Sequence, residues 1–281
     1  MGCEMGEPLT GKSATWNAGN EVGVTALLVA SCRAIEGSKV APLVVDPYAA
    51  RFVAAAGTTL PTTIEGVVAD PDSAPTWLDL TDFVAVRTRV FDQFLTLPGV
   101  SQAVVLAAGL DSRAFRLKWP AGFGYYEVDR PAVLDFKTSV LRELSARPAC
   151  RHHVLHGDLR ADWRTQPLEA GFSTSASSVW LVEGVTPYLD SETVRGMLHE
   201  IRELSAPGSR VAVETVPDLR RALSETVMAT TGRTIGVDVP ALVTINEPSA
   251  DPATLLAGLG WRVRSVDAHQ AALELGPTPR T

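Results

Sequence analysis

The chain has 281 residues, 46% of them hydrophobic and 20% charged, and a formal net charge of −7 from 25 basic and 32 acidic side chains. That balance excludes disorder, coiled coil and collagen, and it offers no basic footprint for nucleic acid or an anionic membrane. Three widely spaced cysteines, Cys3, Cys32 and Cys150, suggest neither a disulfide framework nor a zinc site, and a reducing, cytoplasmic setting is expected.

The opening MGCEMGEPLTGKS has glutamates where a secretory leader is basic and then apolar, so no leader is expected. The apolar-rich stretch 22–34 is too short to span a bilayer. Residues 25–34 read as a helix, and 43–52 as a turn at Asp46-Pro47-Tyr48 opening a second short helix. Residues 57–79 hold several Pro, Thr and Asp residues and read mostly as loop. Residues 82–97 are strongly helical, with Phe83, Val84, Val90, Phe91 and Phe94 on one stripe. Arg87 sits in the middle of that stripe and needs an anionic or carbonyl partner, because an unpaired buried cation is too costly. Arg89 points the other way, towards Asp82 and Asp92, and reads as half of a surface ion pair.

A strand–helix alternation then begins. Strands are expected at 102–107, at 123–128, at about 153–157, at 178–182 and at 209–216. Helices are expected at 112–117, at 131–145 and from Asp190 or Ser191 to about 204, the last with Val194, Met197, Leu198 and Ile201 on one face. Residues 217–252 interrupt the pattern as a lid-like insertion. A helix at 255–260 and a strand at 261–266 resume it, and 271–275 is open between strand and helix. Such alternation predicts an α/β fold with a doubly wound, mostly parallel sheet. The expected organisation is a single domain with a helical cap (1–98), a core (99–216), the insertion (217–252) and a C-terminal core element (253–281).

In open parallel sheets, ligands bind at the carboxyl ends of the strands. Here those ends carry Gly109 and Asp111, then Glu127 and Asp129, then Asp158, then Glu183. Helix capping explains Asp111 at least as well as ligand binding does, whereas Glu127 and Asp129 together favour a ligand. The first turn, Ala107-Ala108-Gly109-Leu110-Asp111-Ser112, has one glycine and lacks the glycine-rich cradle of a dinucleotide or phosphate site. A ligand with adenine and ribose but no phosphate fits better, and S-adenosyl-L-methionine is one. Its ribose suits a carboxylate after the second strand, its cationic groups suit an acid-lined pocket, and its carboxylate suits Arg87 or Arg33. No metal site is expected. The histidines near the third strand, His152, His153 and His156, read as structural, since His153 and His156 face opposite ways on a strand.

The segments VGVTALLVASCRAIE, PLVVDPYAARF, VRTRVFDQFL, VVLAAGLDSRAFRL, EVDRPAVLDFK, DLRADW, WLVEGVTPYL and LSAPGSRVAVE resemble the leucine carboxyl methyltransferase-like family from Val22 to Val266. That family comprises S-adenosylmethionine-dependent enzymes with a Rossmann-like sheet, among them bacterial carboxyl and O-methyltransferases of polyketide pathways. The resemblance implies that Gly109 approaches the methionine part of the cofactor and that Asp129, with Glu127 beside it, holds the ribose. It also implies that Asp158 and Leu159 flank the adenine, that Glu183 lies near the amino-acid end, and that Arg87, with Arg33, receives the cofactor carboxylate. Tyr188 is a substrate-proximal candidate. The chain departs from the family pattern at Thr186-Pro187 and in its short C-terminus. The activity implied is O-methylation of a carboxylate or hydroxyl on a small molecule of secondary metabolism, releasing S-adenosyl-L-homocysteine. A protein carboxyl terminus as acceptor, and a cofactor-binding homologue turned to a non-methylating reaction, are the alternatives.

Overall fold

The computed structural model describes residues 21–215 and 251–275. Residues 217–250 of the predicted insertion and the ends of the chain lie outside the described residues.

Among the described residues, five strands form a parallel sheet: β1 (Gln102–Leu106), β2 (Gly124–Asp129), β3 (Arg151–His156), β4 (Ser178–Val182) and β5 (Arg210–Val213). Their spatial order is β3-β2-β1-β4-β5, so the order reverses between β1 and β4. The connecting helices are α5 (Arg113–Arg116), α6 (Pro131–Glu143), α7 (Thr165–Glu169) and α8 (Ser191–Glu203). β1 and β4 are apolar after their first residues, Gln102 and Ser178, and buried at every position, as strands covered on both faces must be. Asp190 caps α8 by accepting the Thr193 N–H at 2.7 Å.

Side-chain alternation sorts the sheet into two faces. Val104, Leu106, Tyr126, Val128, Trp180 and Val182 pack against the apolar face of α8 (Met197, Leu198, Ile201) and against Leu256 of α9 (Pro252–Gly258). Ala103, Val105, Tyr125, Val179 and Leu181 face Phe91 and Leu95 of α4 (Ala74–Leu95) and Leu134 of α6. Beyond α4 a second core joins α1 (Glu21–Gly37), α2 (Ala49–Ala55) and α3 (Ile64–Val68) through Leu27, Ile35, Phe52, Val67 and Trp77.

The structure corrects or completes four expectations. The stretch 57–79 is about half loop and also holds helix: Thr63 caps α3 by accepting the Gly66 N–H, and α4 starts at Ala74 with a proline in its first turn. The strand expected at 261–266 is irregular, with Arg262 to Val266 exposed, so its alternating apolar residues find no sheet face to cover. The open segment 271–275 is helical, as part of α10 (Ala268–Leu275), which packs on α4. Arg89 is exposed, and neither acid proposed for it is available: Asp82 pairs with Lys39, while Asp92 is buried against Arg113 and Arg116.

Candidate functional site

The parallel register decides which acids meet. Leu106 is level with Val128 and with Val182, and Val182 is level with Val213. One residue further along each strand, Ala107, Asp129, Glu183 and Glu214 therefore stand in one row at the carboxyl rim. The three acids of that row face the α4 side of the sheet, whereas Ala107, where the backbone turns to a positive φ, packs against the α8-side core. Glu127 lies on the same face, one row deeper, level with Val105.

A cavity of about 440 Å³ opens over this rim, where the strand order reverses. Its floor includes Gly109, Asp129, Glu183 and Glu214, and its opposite wall is built by α1 and α4. The floor turn is strained. Ala107 has φ +53 and Gly109 φ +51, the left-handed region that an alanine adopts at a cost. At Gly109 the added side chain of any other residue would also meet Ala26 of α1, at 3.5 Å. The turn is held by Asp129, whose Oδ2 accepts the Gly109 N–H at 2.6 Å while Oδ1 accepts the Arg130 N–H at 2.7 Å. Burial raises the Asp129 carboxyl above its ordinary range, against the opposing pull of those two N–H groups. Two accepted hydrogen bonds leave the carboxylate with lone pairs to spare.

The charged side of the cavity is a network. Arg87 Nε lies 3.0 Å from Glu183 Oε1, and its Nη1 lies 3.2 Å from Glu214. Glu183 Oε2 lies 2.8 Å from Arg113 Nη1, and Arg113 Nε lies 2.7 Å from Asp92. Arg113 also pairs with Asp111, and Arg116 with Asp92. Three guanidiniums thus meet four carboxylates, leaving an anionic excess next to the cavity. Burial alone raises the Asp111 carboxyl, but the Arg113 guanidinium, Lys137, the Arg113 N–H and Arg116 together outweigh it and the group falls to about 2.

The predicted residues divide accordingly. Arg87, Gly109, Asp129, Glu183, Tyr188 and Arg33 all line the cavity. Arg87 has the anionic partners its place on the stripe demanded. Arg33 is committed within the protein, to Asp46 Oδ2 at 2.9 Å and the Leu110 carbonyl at 2.8 Å. Tyr188, in a 3-10 turn after β4, hydrogen-bonds Thr25, and burial raises its phenol. Glu127 is not brought to the cavity. It is fully buried, with Oε2 2.7 Å from Lys137 Nζ and 2.9 Å from His152 Nε2. Asp158 and Leu159 are absent from the cavity wall. Asp158 is exposed and accepts the Arg160 N–H, and Leu159 packs on the α8-side core. They leave β3 beside Asp129 all the same, since the Gly157 N–H donates to the Asp129 carbonyl. His153 stacks on Tyr126, with ring centroids 4.5 Å apart, and His156 pairs with Asp135 at the surface.

Sequence reasoning assigns no site role to four residues of the network: Glu214, Arg113, Arg116 and Asp92, the last read only as a surface partner of Arg89. Glu214 obeys the same rule of acids at strand ends, but the expected strand, 209–216, runs three residues past the observed end at Val213 and encloses it. Arg113 followed Asp111 in the quoted motif, and its i, i+2 spacing from an acid was the available signal.

A model of the family described as leucine carboxyl methyltransferase matches residues 26–202. A protein of Saccharopolyspora erythraea, named as a candidate S-adenosyl-L-methionine-dependent methyltransferase, is 40% identical over 251 residues, 88% of this chain and 86% of that one. One of the same description from Mycobacterium avium is 42% identical over 264 residues, 89% of this chain and 84% of that one. A solved O-methyltransferase family protein of Burkholderia thailandensis aligns with a TM-score of 0.40 at 16% identity, over 72% of this chain and 59% of that one.

Proposed function

The chain belongs to the leucine carboxyl methyltransferase family, and we propose that it methylates a carboxylate oxygen of a small-molecule acceptor, using S-adenosyl-L-methionine. The observation that carries this reading is the rim row itself: Asp129, Glu183 and Glu214 stand level at one cavity with Arg87 between two of them.

The residues present fit the cofactor. Asp129 has acceptor capacity left for a pair of ribose hydroxyls, and the Gly109 turn lets backbone approach closely without a phosphate cradle. The Arg87–Glu183 pair offers a guanidinium to a carboxylate and a carboxylate to an ammonium. We assign Asp158 and Leu159, in the loop that leaves β3 beside Asp129, to the adenine side. When bound, the cofactor supplies a methyl group on a positively charged sulfur. The protein's share is then to hold donor and acceptor in line at near-attack distance and to keep water out.

A carboxylate acceptor agrees with the groups around the cavity. It is ionised at neutral pH and needs no general base. Among the described residues that line the cavity there is no histidine. Glu183, Glu214 and Asp111 are tied to guanidiniums, and Tyr188 keeps its proton through burial.

The test is methyl transfer from labelled cofactor to a panel of small carboxylic acids and phenols. Label that mild base releases as methanol marks a carboxyl ester and supports the reading. Base-stable label marks an ether and moves the acceptor to a hydroxyl. Label on an added protein's carboxyl terminus supports the reading in which a protein is the acceptor. Tight cofactor binding without transfer to any acceptor indicates a non-methylating reaction.

A further inference from the structure

We infer that Arg113 is a positioning residue for the amino-acid end of the cofactor, acting through Glu183 and Arg87. The inference rests on the cofactor reading above. Arg113 is 2% exposed and joins carboxylates from three separate elements. These are Asp92 on α4, Asp111 in the turn after β1, and Glu183 at the end of β4. Glu183 is thereby held from both sides, Oε2 by Arg113 and Oε1 by Arg87. Its plane is fixed, and with it the angle at which Arg87 Nε meets it. Asp92 is fixed in turn, because Arg116 donates to both of its oxygens at 2.6 and 2.7 Å.

The fork geometry of a guanidinium is essential to this arrangement. One planar group supplies donors in several fixed directions, whereas a lysine ammonium is a single point charge. Replacing Arg113 by lysine keeps the charge but cannot span Asp92, Asp111 and Glu183 together. Glu183 is then free to swing, and the Arg87–Glu183 pair loses its aim. Asp129, which accepts from the Gly109 and Arg130 N–H groups, shares no hydrogen bond with Arg113 or its three carboxylates. The nucleoside half of the site therefore keeps its geometry.

Two probes separate these halves: S-adenosyl-L-homocysteine, which carries the amino-acid end, and 5′-methylthioadenosine, which lacks it. Calorimetry on the full chain compares wild type with Arg113→Lys. The expected result is an affinity loss of about tenfold for S-adenosylhomocysteine, the scale of one misplaced charged hydrogen bond, with methylthioadenosine changed by less than about twofold. Equal losses for both probes, or no loss for either, overturn the inference while leaving the cofactor reading intact. A wild-type chain that binds neither probe overturns both. If Arg113→Lys does not fold, Asp92→Asn decides on the same split. It loosens one arm of Arg113 without removing it, and a loss of about threefold for S-adenosylhomocysteine alone is expected.

Discussion

Two buried ion-pair systems stand on the same face of the sheet, one row apart, and serve opposite ends. In the deeper row Glu127 meets Lys137 and His152 with no exposure of either the acid or the lysine. In the rim row Glu183 meets Arg87 and Arg113 at a cavity wall. Two residues along a strand is a rise of roughly 7 Å. That step separates an acid sealed beneath the site from acids placed to touch a ligand. Asp129 belongs to the rim, although it is Glu127's near neighbour in the sequence. An acid near a strand end is thus a ligand candidate only when its row reaches the rim.

The comparison breaks first at Lys137. Lys137→Met strands the Glu127 charge in the sealed row and is expected to cost about 3–5 kcal/mol of unfolding free energy. The double variant Glu127→Gln, Lys137→Met is expected to regain most of it, with binding of S-adenosylhomocysteine preserved. Chemical denaturation and calorimetry check both halves, and lost binding in a stable double variant would move Glu127 into the site. The reverse pattern is expected at the rim, where Asp129→Ala weakens S-adenosylhomocysteine binding by about 1–3 kcal/mol. Because burial raises the Asp129 carboxyl, affinity is expected to hold above that raised value and to fall as acidification protonates it. The onset lies at higher pH than for an ordinary aspartate, and a binding titration against pH checks it.

Asp111 sharpens the contrast in stability. Its folded value of about 2 lies below the ordinary 3.8, so its ionised form favours the folded state. That contribution, about 2 kcal/mol, is fully present above the ordinary value and is lost as pH falls towards 2. Acid unfolding of wild type against Asp111→Asn reads the difference. The smallest effect is expected at Asp158: exposed on its loop, Asp158→Ala is expected to weaken S-adenosylhomocysteine binding by less than about 1 kcal/mol. A loss as large as that of Asp129→Ala would make it an equal partner.

Much of this was legible in the chain, for identifiable reasons. After Gln102 and Ser178, β1 and β4 are β-branched and apolar runs, so their burial on both faces reads directly. Arg87's need for an anion follows from its place on the α4 stripe. That its partners are Glu183 and Glu214 does not, because strand register brings them together and no periodicity encodes register. Glu127 and Asp129 look alike in the sequence because both project from one face. Only the pairing with β1, which ends level with Val128, shows which of them clears the rim. The two early turns of α4 were hidden by the Pro, Thr and Asp content of 57–79. There Thr63 and Pro75 serve as a cap and a first-turn residue of helices.

The most direct measurement is a crystal structure with S-adenosyl-L-homocysteine bound. The account predicts ribose hydroxyls on the Asp129 carboxylate and the amino-acid end against Arg87 and Glu183, within the cavity between the β1 turn and α1. A nucleoside bound elsewhere, or bound there without contact to Asp129, contradicts it.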